Sequence, residues 1–245
     1  MIEGAHPRAA LAQAREWLAS AKSITVLTGA GVSAESGLPT FRGANGLWRN
    51  FRPEQLATPQ AFHANPQLVW EWYDWRRSVH AKCQPNPGHV ALAELERRLQ
   101  EFCLITQNVD NLHEQAGSRA VLHLHGSLWR FRCLQCGREE ANQQIPLELL
   151  PPRCECGGML RPAVVWFGEA LPEVTLAAAV AAARQADVFL ALGTSSVVYP
   201  AAALPRIALA RGARVIEINP EETALTPGAD ISLRGTTGGL LPQLV

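Results

Sequence analysis

The chain alternates between short runs of apolar, often β-branched residues and longer stretches in which apolar residues recur every three or four positions. The first pattern is typical of buried strands and the second of amphipathic helices. Their alternation predicts an α/β fold built on a parallel sheet. We predict strands at residues 23–28, 102–106, 120–124, 163–167, 188–192 and 214–218. We predict a first helix ending near Ser20 and further helices at residues 66–82, 88–100, 173–185 and 200–211.

Two segments do not fit this alternation. Residues 40–85 are rich in aromatic side chains, and residues 127–161 contain two pairs of cysteines. We assign both to a smaller, discontinuous domain packed beside the sheet. The Rossmann-like sheet domain then comprises residues 1–39, 86–126 and 162–245. Ligands commonly bind in the cleft between two domains, so we expect the functional site there.

A glycine-rich turn follows the first predicted strand. Residues 29–43 read GAGVSAESGLPTFRG, and Gly29, Gly31 and Ala34 match the G-x-G-x-x-G/A spacing of dinucleotide-binding turns. Small residues at these positions let the backbone approach a pyrophosphate, and the next helix N-terminus favours the phosphate charge. On this motif alone, a tight connection without a ligand is the alternative.

The stretch after this turn argues against a dehydrogenase. Such enzymes carry an acidic residue about 20 positions on, at the end of a second strand, that holds the adenosine ribose. The sequence here is FRGANGLWRNF, with no strand pattern and no suitable acid. We predict a loop that covers the ligand, with Phe41, Arg42 and Trp48 available as contacts. The pattern therefore indicates a bound dinucleotide that is chemically consumed.

Four of the six cysteines form two tight pairs. Cys133 and Cys136 have the usual two-residue spacer of a zinc knuckle, whereas Cys154 and Cys156 are separated by one residue. Four thiolates give the closed tetrahedral ligand set of a structural zinc ion. The alternatives are disulfides or a partly degraded site, and the short second spacer keeps the geometry of that knuckle open.

Polar residues follow two of the predicted strands, where ligands of α/β proteins bind. Asn108 and Asp110 follow one strand, and Asp110 can alternatively cap the next helix. His125 closes the run VLHLH, and a neutral imidazole at that edge can accept a proton near pH 7. His123 lies on the same face by strand period, so spacing alone does not choose between the two histidines.

Composition then excludes several classes of function. The chain has 22 basic and 22 acidic residues, which gives no general attraction to nucleic acid or to anionic membranes. Its first residues lack a secretory pattern, and no run reaches the ~18 apolar residues that span a bilayer. We therefore expect a cytoplasmic monomer without membrane or direct nucleic-acid partners.

Several long motifs occur in one order along the chain. They are GAGVSAESGLPTFRG, then TQNVDNLH at residues 106–113, then His125-Gly126, the paired cysteines, and GTSSVVYPA at residues 193–201. Together they resemble the sirtuins, which are NAD-dependent protein-lysine deacylases. The resemblance covers nearly the whole chain. It implies NAD as a consumed co-substrate, one structural Zn²⁺ and acyl-lysine protein substrates.

The resemblance also implies roles for individual residues. It makes His125, Asn108 and Asp110 the catalytic residues and places zinc on Cys133, Cys136, Cys154 and Cys156. The residues 164–172 are expected to pair with the substrate backbone as an added strand. The implied NAD contacts are Gly29, Ala30, Gly31, Ala34, Phe41, Arg42, Trp48, Gln107, Asn108, Asp110, Gly193, Thr194, Ser195, Asn219 and Thr237. The implied substrate contacts are Ala57, Tyr73, Arg76, Val164, Phe167, Gly168 and Glu169.

The sirtuin reaction, if carried over, transfers the acyl group to ADP-ribose. The acyl-lysine carbonyl oxygen attacks C1′ of the nicotinamide ribose and expels nicotinamide. His125 then acts as general base on a ribose hydroxyl, which attacks the imidate carbon. The products are free lysine, nicotinamide and 2′-O-acyl-ADP-ribose.

The predicted helix at residues 66–82 carries a clue to the acyl group. Tyr73 and Arg76 are three positions apart, and hence share a face, where a phenol beside a guanidinium forms a receptor for a carboxylate. This pair and the small Ala57 resemble the sirtuins of class III, which remove succinyl, malonyl or glutaryl groups. The alternative is that Arg76 and Arg77 are solvated charges, which leaves a plain deacetylase.

A second alternative lies outside catalysis: an NAD or ADP-ribose sensor that binds partners through its zinc lobe. The presence of His125, Asn108 and Asp110 argues against a sensor, and release of nicotinamide would exclude it.

Overall fold

The computed structural model describes residues 7–39 and 53–245. Its strands are β1 (Ser23–Thr28), β2 (Glu101–Thr106), β3 (Val121–His123), β4 (Gly126–Cys133), β5 (Glu139–Ala141), β6 (Leu160–Val164), β7 (Val188–Leu192), β8 (Arg214–Asn219) and β9 (Ile231–Arg234). Its α-helices are α1 (Pro7–Ser20), α2 (Ala30–Ala34), α3 (Pro53–Leu56), α4 (Pro59–Ala64), α5 (Pro66–His80), α6 (Pro87–Arg98), α7 (Leu112–Gln115), α8 (Glu173–Gln185), α9 (Leu204–Leu209) and α10 (Thr237–Leu240).

The main sheet has six parallel strands in the order β3-β2-β1-β7-β8-β9. The central strand β1 is buried along its whole length, as its run of apolar and β-branched residues predicts. Thr28 at its end is level with Thr106 of β2 and Leu192 of β7. Because chain connections run outward on either side of β1, the crevice at these carboxyl ends is where α/β sheets bind ligands.

Two apolar clusters cover the two faces of this sheet. One contains Val26 and Ile216, and the other contains Leu27 and Val215, so neighbouring residues of a strand point to opposite faces. A third cluster belongs to the smaller part of the molecule, where Trp70 of α5 packs edge-on against Phe131 of β4. The predicted fold class, a Rossmann-like parallel sheet beside a smaller cysteine-containing and helical unit, is confirmed.

The prediction for residues 163–167 was wrong about the partner strand. This run belongs in part to β6, which pairs antiparallel with β4 in a separate three-stranded sheet of order β5-β4-β6. Phe167 lies beyond the strand and is 57% exposed. An apolar run identifies a buried strand but does not specify which strand it pairs with.

Two other details differ from the sequence prediction. The helix expected at residues 200–211 is a single 3₁₀ turn, Ala201–Ala203, followed by α9. Pro205 lies in the first turn of α9, where its missing N–H is tolerated, which fixes the start of that helix. Strand β9, which has four residues, was not predicted. Among the described helices, none has the length and apolarity needed to cross a bilayer.

Candidate active site and cysteine cluster

Two glycine turns interlock at the carboxyl edge of the main sheet. The Gly31 N–H donates to the Gly193 carbonyl at 2.9 Å, and the Gly29 N–H donates to the Leu192 carbonyl at 3.0 Å. A Cβ atom at Gly31 would lie 2.8 Å from Gly193 Cα, which is closer than real carbon contacts. Gly193 also has a positive φ of 55°. These glycines are therefore needed to bring the two turns into contact.

A buried polar cluster lies beside these turns. Ser33 Oγ donates to Asp110 Oδ2 at 2.9 Å, and Asn108 Nδ2 donates to Ser33 Oγ and to the Gly29 carbonyl, each at 3.1 Å. The Leu112 N–H donates to Asp110 Oδ1 at 3.1 Å, so Asp110 also caps the start of α7. Burial raises the pKa of Asp110, and its hydrogen bonds from Leu112 and Ser33 oppose this. Both interpretations of Asp110, local cap and site residue, are compatible with this geometry.

The two histidines that spacing could not separate have different partners. His123 Nε2 lies 2.5 Å from Glu114 Oε1; burial lowers the pKa of His123, but the Glu114 carboxylate outweighs burial and the net shift is upward. His125 Nδ1 lies 2.9 Å from the Gln107 carbonyl oxygen. Because a carbonyl only accepts, Nδ1 of His125 carries the proton and Nε2 retains its lone pair. Burial lowers the pKa of His125, so the ring stays neutral and able to act as a base.

The Gln107 side chain connects the ends of three strands. Its Nε2 donates to the Thr28 carbonyl at 3.3 Å and to Thr194 Oγ1 at 3.0 Å. Gln107 and Thr194 therefore lie at the same carboxyl edge of the sheet as the glycine turns. The Gln107 carbonyl holds His125, so one residue links the predicted cofactor turn to the predicted base.

A cavity opens between this edge and helix α5. The residues that line it include Ala30, Ser33, Asn108 and Asp110 from the sheet side, and Arg76 and His80 from α5. Burial lowers the pKa of Arg76, whereas the nearby Tyr73 and Asp110 raise it. Burial and the Arg76 charge lower the pKa of His80 to about 3, which keeps that imidazole neutral. The cavity thus combines a buried guanidinium with the Asn108–Asp110 cluster.

Arg76 is not a solvated charge. It is 3% exposed, and its guanidinium carbon lies 4.7 Å from the Trp72 ring centroid and 5.5 Å from that of Tyr73. Tyr73 is 2% exposed, and its hydroxyl oxygen accepts a hydrogen bond from Trp166 Nε1 at 2.9 Å. Arg77 is also buried and donates to the Asn142 carbonyl and side-chain oxygens, each at 2.8 Å. The alternative in which Arg76 and Arg77 are solvated charges is therefore excluded.

The predicted substrate segment follows β6 and borders helix α3. The Phe167 N–H donates to the Ala57 carbonyl at 2.9 Å, which joins two of the predicted contacts through their backbones. Gly168 adopts a positive φ of 87° and turns the chain. Glu169 forms a two-pronged ion pair with Arg161, at 2.6 and 2.9 Å. It also accepts a hydrogen bond from the backbone N–H of Trp166 at 2.8 Å. Val164 is buried at the end of β6.

Some predicted cofactor contacts are not joined to this cluster. Ser195 is exposed, and Asn219 Nδ2 donates to the Glu221 carbonyl at 2.8 Å at the end of β8. Thr237 is 2% exposed at the start of α10, and its hydroxyl has no hydrogen-bond partner among the described residues. Ala34 ends the short helix α2 and is exposed. The predicted contacts Phe41, Arg42 and Trp48 lie outside the described residues.

The four paired cysteines converge on one point. Their sulfur atoms all lie within 4.8 Å of one another, with Cys133 Sγ 3.5 Å from Cys156 Sγ and Cys136 Sγ 3.8 Å from Cys154 Sγ. Zinc–sulfur bonds of about 2.3 Å in a tetrahedron require sulfur separations of about 3.8 Å. The four thiols are not joined as disulfides. The donor set fits a structural zinc ion, and the one-residue spacer between Cys154 and Cys156 does not prevent this arrangement.

Several side chains at the site were not predicted from the sequence. Ser33 was part of the glycine motif but was not chosen, and its hydrogen bonds to Asn108 and Asp110 join elements far apart in the chain. Trp166 and Arg161 were also missed: the Arg161 guanidinium carbon lies 3.5 Å from the Trp166 ring centroid. His80 lies one turn after Arg76 on α5, so helical spacing could have found it.

The fold and this edge define an α/β protein with a crevice at the carboxyl edge of its parallel sheet, two interlocked glycine turns and a four-cysteine cluster. A model of the Sir2 family matches residues 29–200, which is most of the chain. The chain belongs to the Sir2 family, and the resemblance to sirtuins is confirmed.

Relatives and solved structures agree with this assignment. The chain is 57% identical to an NAD-dependent protein deacylase of Aquifex aeolicus (strain VF5), over 86% of this chain and 89% of the relative. It is similar to a solved complex of a Sir2 homologue with NAD, with a TM-score of 0.90 and 53% identity over 95% of this chain and 91% of the other. A mutant Sir2 homologue in complex with 2′-O-acetyl ADP ribose gives a TM-score of 0.89 at 53% identity, over 95% and 94% of the two chains.

Proposed function

We propose that this chain is an NAD-dependent protein-lysine deacylase that prefers acyl groups ending in a carboxylate, such as succinyl or malonyl, and also removes acetyl groups. The relative named above is an NAD-dependent protein deacylase, and solved Sir2 homologues hold NAD or an acylated ADP-ribose. The observation that carries the acyl preference is the buried Arg76, which shares a cavity with Asn108 and Asp110.

The residues at the sheet edge have separate tasks in this proposal. The Gly29 and Gly193 turns receive the phosphates and ribose of NAD, while Gln107, Asn108 and Asp110 orient the nicotinamide end. Loss of nicotinamide makes C1′ of the ribose available to the acyl oxygen of the substrate. His125, neutral and with Nε2 available, takes the proton from a ribose hydroxyl, which then attacks the acyl carbon. The lysine amine leaves with the proton taken up by His125, and one water molecule adds to the acyl carbon in its place. The acyl group then stays on the ribose hydroxyl, and the oxygen on C1′ becomes a free hydroxyl of ADP-ribose.

Arg76 supplies the acyl preference because its two-pronged guanidinium matches the geometry of a carboxylate, and Tyr73 is next to it. A succinyl group presents a carboxylate to this receptor, whereas an acetyl group has none to present. The segment Val164–Glu169 is proposed to hold the peptide backbone beside Ala57, and zinc on the four cysteines stabilises the smaller lobe.

The test is steady-state deacylation of matched succinyl-lysine and acetyl-lysine peptides by wild type and Arg76→Met. Losing a hydrogen-bonded charge pair costs about 1.5–3 kcal/mol, so we expect succinyl kcat/KM to fall about 10- to 150-fold. Acetyl kcat/KM is expected to stay within about threefold. Arg211→Met, which removes an exposed arginine beyond α9, is the matched control. Equal losses on both peptides, or an acetyl preference in wild type, would contradict the acyl assignment.

The competing proposal is a deacetylase in which Tyr73 and Arg76 are structural. It predicts that wild type prefers the acetyl peptide and that Arg76→Met has the same peptide preference as wild type. The sensor alternative predicts no NAD consumption with either peptide.

A further inference from the structure

The Tyr73 hydroxyl is held in one orientation by a chain of contacts that starts at the substrate segment. Trp166 Nε1 donates to the Tyr73 oxygen at 2.9 Å. The Trp166 ring is covered by the Arg161 guanidinium at 3.5 Å and packs against the Phe62 ring at a centroid distance of 5.2 Å. The Trp166 indole is therefore fixed on both sides.

Glu169 fixes the other end of this chain. Its two carboxylate oxygens accept hydrogen bonds from the Arg161 guanidinium at 2.6 and 2.9 Å. One of them also accepts a hydrogen bond from the backbone N–H of Trp166 at 2.8 Å. Arg161 also donates to the Val164 carbonyl at 2.9 Å. Both charges are satisfied within the protein, so this pair positions Trp166 and does not need a ligand to be stable.

Hydrogen-bond chemistry then decides which way the Tyr73 proton points. The indole N–H only donates, and a guanidinium only donates. Trp166 Nε1 donates to the Tyr73 oxygen, and the Arg76 guanidinium is also hydrogen-bonded to the Tyr73 side chain. Since both supply hydrogens to this oxygen, the Tyr73 O–H must itself donate to an acceptor. A carboxylate beside Arg76 is such an acceptor.

We propose that Trp166 is a positioning residue for acyl selectivity, because its indole N–H turns the Tyr73 hydroxyl into a donor toward the acyl carboxylate. Glu169 and Arg161 act through Trp166. This inference rests on the proposed acyl preference and assigns it a further determinant outside the Tyr73–Arg76 pair. Trp166 acts on the carboxylate only through Tyr73, so the loss of its indole N–H weakens binding of acidic acyl groups more than binding of acetyl groups.

A double-mutant cycle tests this inference with Trp166→Phe, Tyr73→Phe and the double variant on succinyl and acetyl peptides. Phenylalanine keeps a ring for Arg161 and Phe62 but removes the N–H. We expect Trp166→Phe to raise the succinyl KM about three- to tenfold more than the acetyl KM, which corresponds to the loss of one hydrogen bond. In the Tyr73→Phe background, Trp166→Phe should cause no further change in the ratio of the succinyl KM to the acetyl KM.

Three outcomes overturn the inference. They are multiplicative effects of the two variants, equal changes on both peptides, and an unchanged succinyl KM in Trp166→Phe. Should Trp166→Phe fail to fold, Glu169→Gln weakens the same chain without changing the indole, and it must raise the succinyl KM more than the acetyl KM. A wild type without succinyl preference instead contradicts the proposed function, so the two failures are distinguishable.

Discussion

Replacing Gly31 by alanine should loosen the interlocked glycine turns and weaken NAD binding. The added Cβ would lie 2.8 Å from both the Cα and the carbonyl oxygen of Gly193, and both atoms belong to backbone. Carbon atoms normally approach to about 3.5–4.0 Å, so the two turns must separate by about 0.7 Å or more. That shift also strains the hydrogen bond from the Gly31 N–H to the Gly193 carbonyl.

The size of the effect follows from two opposing contributions. Overpacking of this kind costs about 1–3 kcal/mol, whereas alanine in a helix recovers about 0.4–1 kcal/mol relative to glycine. A net loss of about 1–2 kcal/mol corresponds to a fall in Tm of about 2–8 °C for a chain of this length. Because the displaced turn is the proposed phosphate contact, we expect the Kd for NAD to rise at least about tenfold.

The assay is thermal unfolding together with titration of NAD. Gly228→Ala is the matched control, because a Cβ there meets no atom within 4 Å. Its Tm and NAD affinity should equal those of wild type. If Gly31→Ala has the same Tm and the same NAD affinity as Gly228→Ala, the close contact between the Gly31 and Gly193 turns is not needed for stability or NAD binding.

Two further predictions concern the base and the metal. Burial lowers the pKa of His125 while the Gln107 carbonyl opposes this, so the acid limb of kcat/KM should have its midpoint below the ordinary histidine value of 6.5; a midpoint above 6.5 would exclude His125 as the base in this environment. Metal analysis should find one zinc per chain, and its removal by a strong chelator should lower the Tm and change the tryptophan fluorescence, because Trp70 and Trp129 belong to the core that contains Cys133 and Cys154. Zinc-free protein with unchanged unfolding would contradict a structural ion.

The parallel sheet could be predicted because its central strands are buried on both faces and appear as uninterrupted apolar runs. Strand β9 could not, because its polar Ser232 is paired with Glu217 of the neighbouring strand, a contact that no local pattern records. The error at residues 163–167 has a similar cause. Local hydrophobicity predicted a strand there, but pairing with β4 is a long-range property.

Part of the site could likewise be predicted from local sequence, and part could not. Motif spacing predicted Asn108, Asp110 and His125 as site residues, yet it could not separate His125 from His123. The separation comes from Glu114 and the Gln107 carbonyl, which reach these rings only after the chain has folded. Arg76 was found by helical spacing, whereas its burial depends on Trp72 and Tyr73 packing around it.

Mass spectrometry of a succinyl-lysine peptide incubated with the protein and NAD tests acyl transfer to ADP-ribose directly. We expect each deacylated lysine to be matched by one nicotinamide and one succinyl-ADP-ribose, and we expect His125→Ala to abolish this product while leaving the Tm unchanged. Release of free succinate without NAD consumption would contradict acyl transfer to ADP-ribose. Intact NAD and intact peptide would contradict the deacylase itself.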